Sequence, residues 1–193
     1  QTIIGGTLRT DNGGRLRRLA SGNLSVSGIT LEGDLELEAP STMFVNSTDL
    51  VNNATIRVNS TDSANNAVVQ FNANTTITGT GTVLLEAGID DSRLATNGTT
   101  ATFSPSQALE GEGTMNGSYA IQGRFSPGLP VGRINGAANI TFTDTTLFVA
   151  DTSGPGVGDG IDFTSGTVVC DGDVSVRLAY VPAINDQFNI ITA

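Results

Sequence analysis

The chain has 193 residues and a formal net charge of −10; it has no lysine and no histidine, so all nine positive charges are arginines. Its length suffices for one large β domain or two small ones with a real core. The charge lacks the footprint of a nucleic-acid binder, and no stretch approaches the ~18 consecutive apolar residues of a spanning helix, so neither nucleic acid nor membrane insertion is expected.

Gly, Thr, Asn and Ser fill over two-fifths of the positions, while Lys, Gln and Met, all good helix formers, are scarce or missing. Val, Ile, Thr and Phe are plentiful, which makes an all-β profile. The start at Gln1, directly in strand-like Thr2-Ile3-Ile4, is that of a mature secreted protein or of a segment of something larger.

Residues 1–28 form an N-terminal cap or first coil. Ile3, Leu8, Leu16, Leu19, Leu24 and Val26 suit short strands broken at Gly5-Gly6 and Asn12-Gly13-Gly14, with a single helical turn over Arg15 to Ala20. Arginine is a reasonable residue to place on an open β edge. From Ile29 to Ala39, Leu31, Leu35, Leu37 and Ala39 alternate with Glu32, Asp34, Glu36 and Glu38, a period-two strand ended by Pro40. Alternate residues on a strand lie about 7 Å apart, too far to share one ion, so the four acids are expected to form a solvated face.

Between residues 50 and 145 a repeat emerges. Asn53, Asn74, Asn97, Asn116 and Asn139 each begin an Asn-x-Thr/Ser triplet, at spacings of 21, 23, 19 and 23, and Leu35, Ile56 and Ile77 keep a strict 21. Short strands with Gly and Asn turns at that period indicate a β-solenoid, in which each coil buries its apolar side only by stacking on the next. One Asn per coil predicts a stacked ladder at a turn. The same five asparagines, with Asn23, Asn46 and Asn59, are candidate N-glycosylation acceptors.

After about residue 128 the character changes. Ile140-Thr-Phe142, Leu147-Phe-Val149, Ile161-Asp-Phe163, Val168-Val-Cys170, Val174 to Leu178 and Phe188-Asn-Ile190 make longer, more aromatic strands, which either close the solenoid or begin a small sandwich. Cys170, the only cysteine, is expected in the core.

Candidates for chemistry are few. Asp90-Asp91 is a carboxylate pair, but a sugar-cleaving site of the polygalacturonase kind also wants His and Lys, and serine chemistry lacks a base. Gly156-Val-Gly158-Asp-Gly160-Ile-Asp162 partly matches one calcium-binding nonapeptide of the parallel β-rolls, which need several copies. The threonines of Thr75 to Thr82 suit an ice-facing strand only if consecutive coils repeat them. No catalytic residue, metal or cofactor is expected.

Leu109-Glu-Gly-Glu-Gly-Thr-Met-Asn-Gly117, then Ile121-Gln-Gly-Arg-Phe-Ser-Pro-Gly128, then Val131-Gly-Arg-Ile134 resembles the repeat of bacterial autotransporter passengers and related surface proteins. Ile161-Asp-Phe163, Gly166-Thr-Val168 and Asp186 to Ala193 resemble that family's continuation, so the likeness covers about residues 76 to 193. Leu129-Pro130-Val131 departs from the family's usual Asn between Pro-Gly and the next Gly, a turn detail. The resemblance implies a right-handed parallel β-solenoid at the cell surface or outside the cell. It is silent on activity, since such passengers include adhesins, stalks and enzymes.

Together these features predict a solenoid of about nine coils over residues 29–193 and its first unit. Arg9, Arg15, Arg17 and Arg18 make the start basic, while Asp171, Asp173 and Asp186 belong to an acidic last quarter. That asymmetry suits head-to-tail assembly of a secreted filament or stalk subunit, with the chain itself as its main partner. The alternative is an adhesin segment that binds glycans or other surface proteins.

Overall fold

The computed structural model describes residues 1–19, 21–58, 65–86, 92–128, 132–154, 156–187 and 189–192. Among them there is no helix, and Leu16–Arg18, inside the expected helical turn, is a strand. The chain is a parallel β-solenoid whose coils stack by strand pairing on three faces.

In the first four coils each face has its own strand. Thr2–Ile4, Gly22–Ser27, Ser41–Val45 and Ala67–Phe71 stack on the first face. Thr7–Arg9, Thr30–Glu32, Asp49–Asn52 and Thr75–Thr78 stack on the second. The third face begins with Leu16–Arg18, Leu35–Leu37, Thr55–Val58 and Thr82–Leu85. From the fifth coil the first two faces fuse into long bent strands, Ser92–Phe103, Gly113–Ile121, Arg133–Phe142 and Gly160–Cys170. The third face continues as Ala108–Gly111, Arg124–Pro127, Leu147–Gly154 and Asp173–Leu178. One short antiparallel excursion pairs Val157–Gly158 back onto Leu147–Gly154, and no separate sandwich forms among the described residues.

The alternating pattern decides what points inward. Leu24, Met43, Val69, Leu94 and Met115 stand in register on the first face. Leu50, Ile77, Phe103, Ile121 and Phe142 do so on the second. On the third, Leu16 is followed by Leu35, Ile56, Val83, Leu109, Phe125 and Phe148. All but Leu16 are buried, and each contributes about 1.5–3 kcal/mol of hydrophobic stabilisation. Phe125, Phe142 and Phe148 close the later core with ring centroids 5.2 to 5.6 Å apart. The apparent single strand from Ile29 to Ala39 is two, bent at Gly33-Asp34 onto different faces, with the apolar alternation carried round the corner.

Coil length varies more than the repeat suggested. Successive in-register partners lie 19 residues apart from Leu24 to Met43, 26 from Met43 to Val69 and 27 from Ile134 to Ile161. Eight strands therefore occupy the third face among the described residues, short of nine coils, and a further level begins only with Ile191–Thr192. Leu35 and Ile56 are true neighbours, but Ile77 pairs with Leu50 on another face while Ile56 meets Val83.

Candidate functional site

The expected Asn-on-Asn ladder is replaced by a different device. The side-chain oxygen of each of four asparagines accepts a backbone N–H of the following coil: Asn53 from Thr80 at 3.3 Å, Asn74 from Thr100 at 2.9 Å, Asn116 from Ala137 at 3.1 Å and Asn139 from Thr167 at 3.1 Å. These asparagines are corner clips, which explains one per coil without requiring them to stack. Among the described residues an Asn–Asn contact forms from Asn72 Nδ2 to Asn46 Oδ1, at 2.9 Å. Asn53, Asn74, Asn97 and Asn139 are exposed and Asn116 is half-buried.

A buried amide pair holds the corner between second and third faces. Asn52 and Gln107 are both almost fully buried. Asn52 Nδ2 donates to Gln107 Oε1 at 3.1 Å, and Gln107 Nε2 donates to the carbonyls of Asn52 and Thr78 at 2.8 and 2.9 Å. Gly81 sits against this pair, where a Cβ would lie 2.6 Å from Asn52 Nδ2. Within Thr75 to Thr82, Thr75 is buried and donates to the Ser47 carbonyl at 2.7 Å, so the run is not a uniform threonine face.

The outer side of the third face carries ion pairs between coils. Arg17 reaches Glu36 at 3.3 Å and pairs closely with Glu38, while Arg15 lies 3.6 Å from Glu36. Further along come Arg57 with Glu86, Arg124 with Glu110 at 3.0 Å and Arg177 with Asp151 at 2.6 Å. The expected solvated acid row is thus corrected: Glu36 is buried beneath two arginines, Glu38 is paired, and Asp34 accepts the Thr55 N–H at 3.0 Å. Arg17 and Glu38 are 21 residues apart, a signal that the repeat spacing offered.

The basic and acidic groups read from the sequence lie on opposite terminal coils. Arg9, held 3.1 Å from Asp11, with Arg15, Arg17 and Arg18, belongs to the first coil. Arg18 occupies an inward register position above Leu37 and helps to line a small cavity of about 160 Å³ with Ile3, Leu8 and Leu16. At the other end, Asp171 precedes and Asp173 opens the last third-face strand, all six residues of which are exposed. Asp186 is turned into its own loop, accepting from Ala183 N at 2.7 Å and Tyr180 Oη at 3.1 Å. Cys170 is exposed instead of buried, because it stands above Phe142 on the last fused strand with no coil beyond it among the described residues.

A polar cavity of about 280 Å³, unforeseen in the sequence, lies at the acidic end among Arg133, Asp159, Asp162, Gln187, Asn189 and Thr192. Arg133, Asp159 and Asp162 are all committed to partners within the protein. Arg133 pairs with Asp162 through two nitrogens and donates from Nη1 to the Asn189 carbonyl at 3.0 Å. The Arg133 guanidinium holds the Asp162 carboxyl below its ordinary range. Asp159 accepts from Gly132 N at 2.8 Å and Asp151 N at 2.9 Å, and burial pushes its carboxyl up. The calcium-like residues Asp159 and Asp162 are therefore spent on backbone and arginine, and among the described residues no group of three or more acidic, His or Cys side chains could hold a metal. Asp90, Asp91 and Asn59 lie outside the described residues. No helix among those described is long and apolar enough to cross a membrane.

Comparison with protein-family models, curated proteins and solved structures returns no match for this chain.

Proposed function

We propose that this chain is a non-catalytic structural β-solenoid of the autotransporter-passenger kind, secreted or displayed at a cell surface, whose copies stack head to tail as a filament or stalk. The observation that carries this reading is the state of the two terminal coils. The strands Thr2–Ile4, Thr7–Arg9 and Leu16–Arg18 pair on one side only among the described residues. At the far end Val174, Val176 and Leu178, in register with the buried Phe148, Ala150 and Thr152, are 50%, 42% and 48% exposed. Bare strand edges and half-covered apolar files favour addition of further β-structure. The basic first coil and the acidic last one make a heterologous contact, which propagates, more favourable than a closed pair of like ends.

Negative-stain microscopy with light scattering across a range of concentration and salt tests this reading. Unbranched fibres whose mass grows with concentration are expected, and monodisperse monomers under all conditions refute it. The second reading, a glycan-binding or adhesive segment of a larger passenger, is supported by the polar cavity at Arg133, close in size to small-molecule sites. Selective hits on a glycan array would favour it over the filament.

A further inference from the structure

The two ends of the solenoid carry charge at the same corner. In the last coil Asp171 leaves the second face and Asp173 opens the third, with Gly172 alone between them. In the first coil the corner between the same two faces is flanked by Arg9, which ends the second-face strand, and by Arg15, which precedes Leu16–Arg18. The other two corners of the last coil offer no such match. Residues 163–170, where the first face bends into the second, carry no charged side chain. Between third and first faces the acid is Asp186, already bonded to Ala183 N and Tyr180 Oη of its own loop.

Strand pairing dictates which residues meet when a second copy continues each file. Thr2 leads through Ser25, Phe44, Gln70, Ala95, Asn116 and Ala137 to Ser165. Leu16 leads through Leu35, Ile56, Val83, Leu109, Phe125 and Phe148 to Val174. On the second face Thr7 leads through Thr30 and Val51 to Thr78, and Ile77, one residue earlier, leads through Phe103, Ile121 and Phe142 to Cys170. The incoming Thr7 thus falls on Asp171, Arg15 on Asp173 and Leu16 on the half-exposed Val174. Ile191–Thr192 pairs with Ile161 and Asp162, ahead of Ser165, and leaves the seat of the incoming Thr2–Ile4 clear. The file of Ile191 runs back to Gly22, against which the Arg18 head lies, so that flexible head turns outward as Ile191 comes beneath.

We infer that a second copy docks in one rotation about the solenoid axis, the one that continues every file, and that the acidic corner Asp171-Gly172-Asp173 selects it by receiving Arg9 and Arg15. The inference rests on the head-to-tail reading above and adds its register. Turning the incoming copy by one face either way sets Arg9 and Arg15 over the uncharged bend or over the loop whose Asp186 is already bonded. In the file-continuing rotation Arg15 and Asp173, both exposed, make a cross-coil pair of the Arg124–Glu110 kind, and Leu16 closes over Val174. Opposite charges fix the register of a contact whose affinity comes from strand pairing and apolar burial.

The test uses the whole chain in a Cys170→Ser background, with fibres grown at low salt and then oxidised. Two cysteine pairs probe the register: Thr2→Cys with Ser165→Cys, and Leu16→Cys with Val174→Cys. Each pair sits at opposite ends of one chain and becomes neighbours only across a junction. Both should give a ladder of covalent oligomers on non-reducing gels, since paired residues of adjacent strands lie within disulfide reach. Thr2→Cys with Val174→Cys, which meet only in a copy turned by one face, should give none. Arg15→Asp and Asp173→Arg should each slow elongation about fivefold, and the double exchange should restore it. A ladder from the turned pair, in-register pairs that stay unlinked within fibres, or absence of rescue overturns the inference and leaves head-to-tail stacking intact. A wild type that remains monomeric refutes that stacking, and the inference with it.

Discussion

Replacing Gln107 with leucine keeps the volume at a buried corner and removes its hydrogen bonds. Three are lost: the one accepted from Asn52 Nδ2 and the two donated to the Asn52 and Thr78 carbonyls. The Asn52 carbonyl still receives the Gly81 N–H at 2.8 Å, and Asn52 Nδ2 retains a long contact of 3.4 Å to the Thr82 carbonyl. The stranded groups are therefore chiefly the Thr78 carbonyl and one Asn52 N–H; at ~1–3 kcal/mol for each buried group left unsatisfied, the loss is about 3 kcal/mol. Asn52→Leu should cost a similar amount, because it strands the Gln107 oxygen and the Ala54 N–H, which donates to Asn52 Oδ1 at 3.2 Å. The double Leu variant should cost less than the sum by about 1–2 kcal/mol, since neither amide then remains without its mate. Urea unfolding followed by circular dichroism reads the totals, and amide exchange at Gly81 reads the corner locally. Single losses below ~1 kcal/mol, or strict additivity, would refute the view that this pair ties three successive coils together.

Two further outcomes follow from the geometry. Gly111→Ala would put a Cβ 1.9 Å from the Leu85 carbonyl at a positive φ of 98°, so it should lower the melting temperature sharply, whereas Gly154→Ala, with nothing within 4 Å, should be nearly neutral. The Asp162 carboxyl, lowered by Arg133, contributes stability above its unfolded pKa of ~3.9, and that contribution disappears as pH falls through its lower folded value. Exchange of the Ile161 N–H, which bonds to the Ile190 carbonyl, should accelerate in that acid window, and the acceleration should vanish in Arg133→Ala. Asp159, raised by burial, has the opposite sign and is relieved by the same acid, so Asp159→Asn should leave the Ile161 response in place.

How much of this was readable beforehand depends on whether a property is local. Alternation of apolar and polar residues is local, and it correctly marked Leu31, Leu35, Leu37 and Ala39 as inward. Glycine and asparagine at intervals marked the corners, and the all-β, parallel solenoid follows from strands too short to bury a face alone. What stacks on what is not local. The corner at Asn72 lies 26 residues from its partner at Asn46 while another coil takes 19, so Ile77 joined Leu50 and left Ile56 to Val83. Glu36 became buried only because Arg15 and Arg17 close over it from the coil before. Cys170 became exposed because a core-like position is a core only if another coil covers it. The cavity at Arg133 depends on residues from 133 to 192 that meet where a late strand folds back. Composition and period two were sufficient for the class of fold and for the inward side of each strand. Register between coils, which sets the ion pairs and the buried amides, was decided by corner length, because only closure of each turn onto the sheet below selects one partner among many equivalent strands.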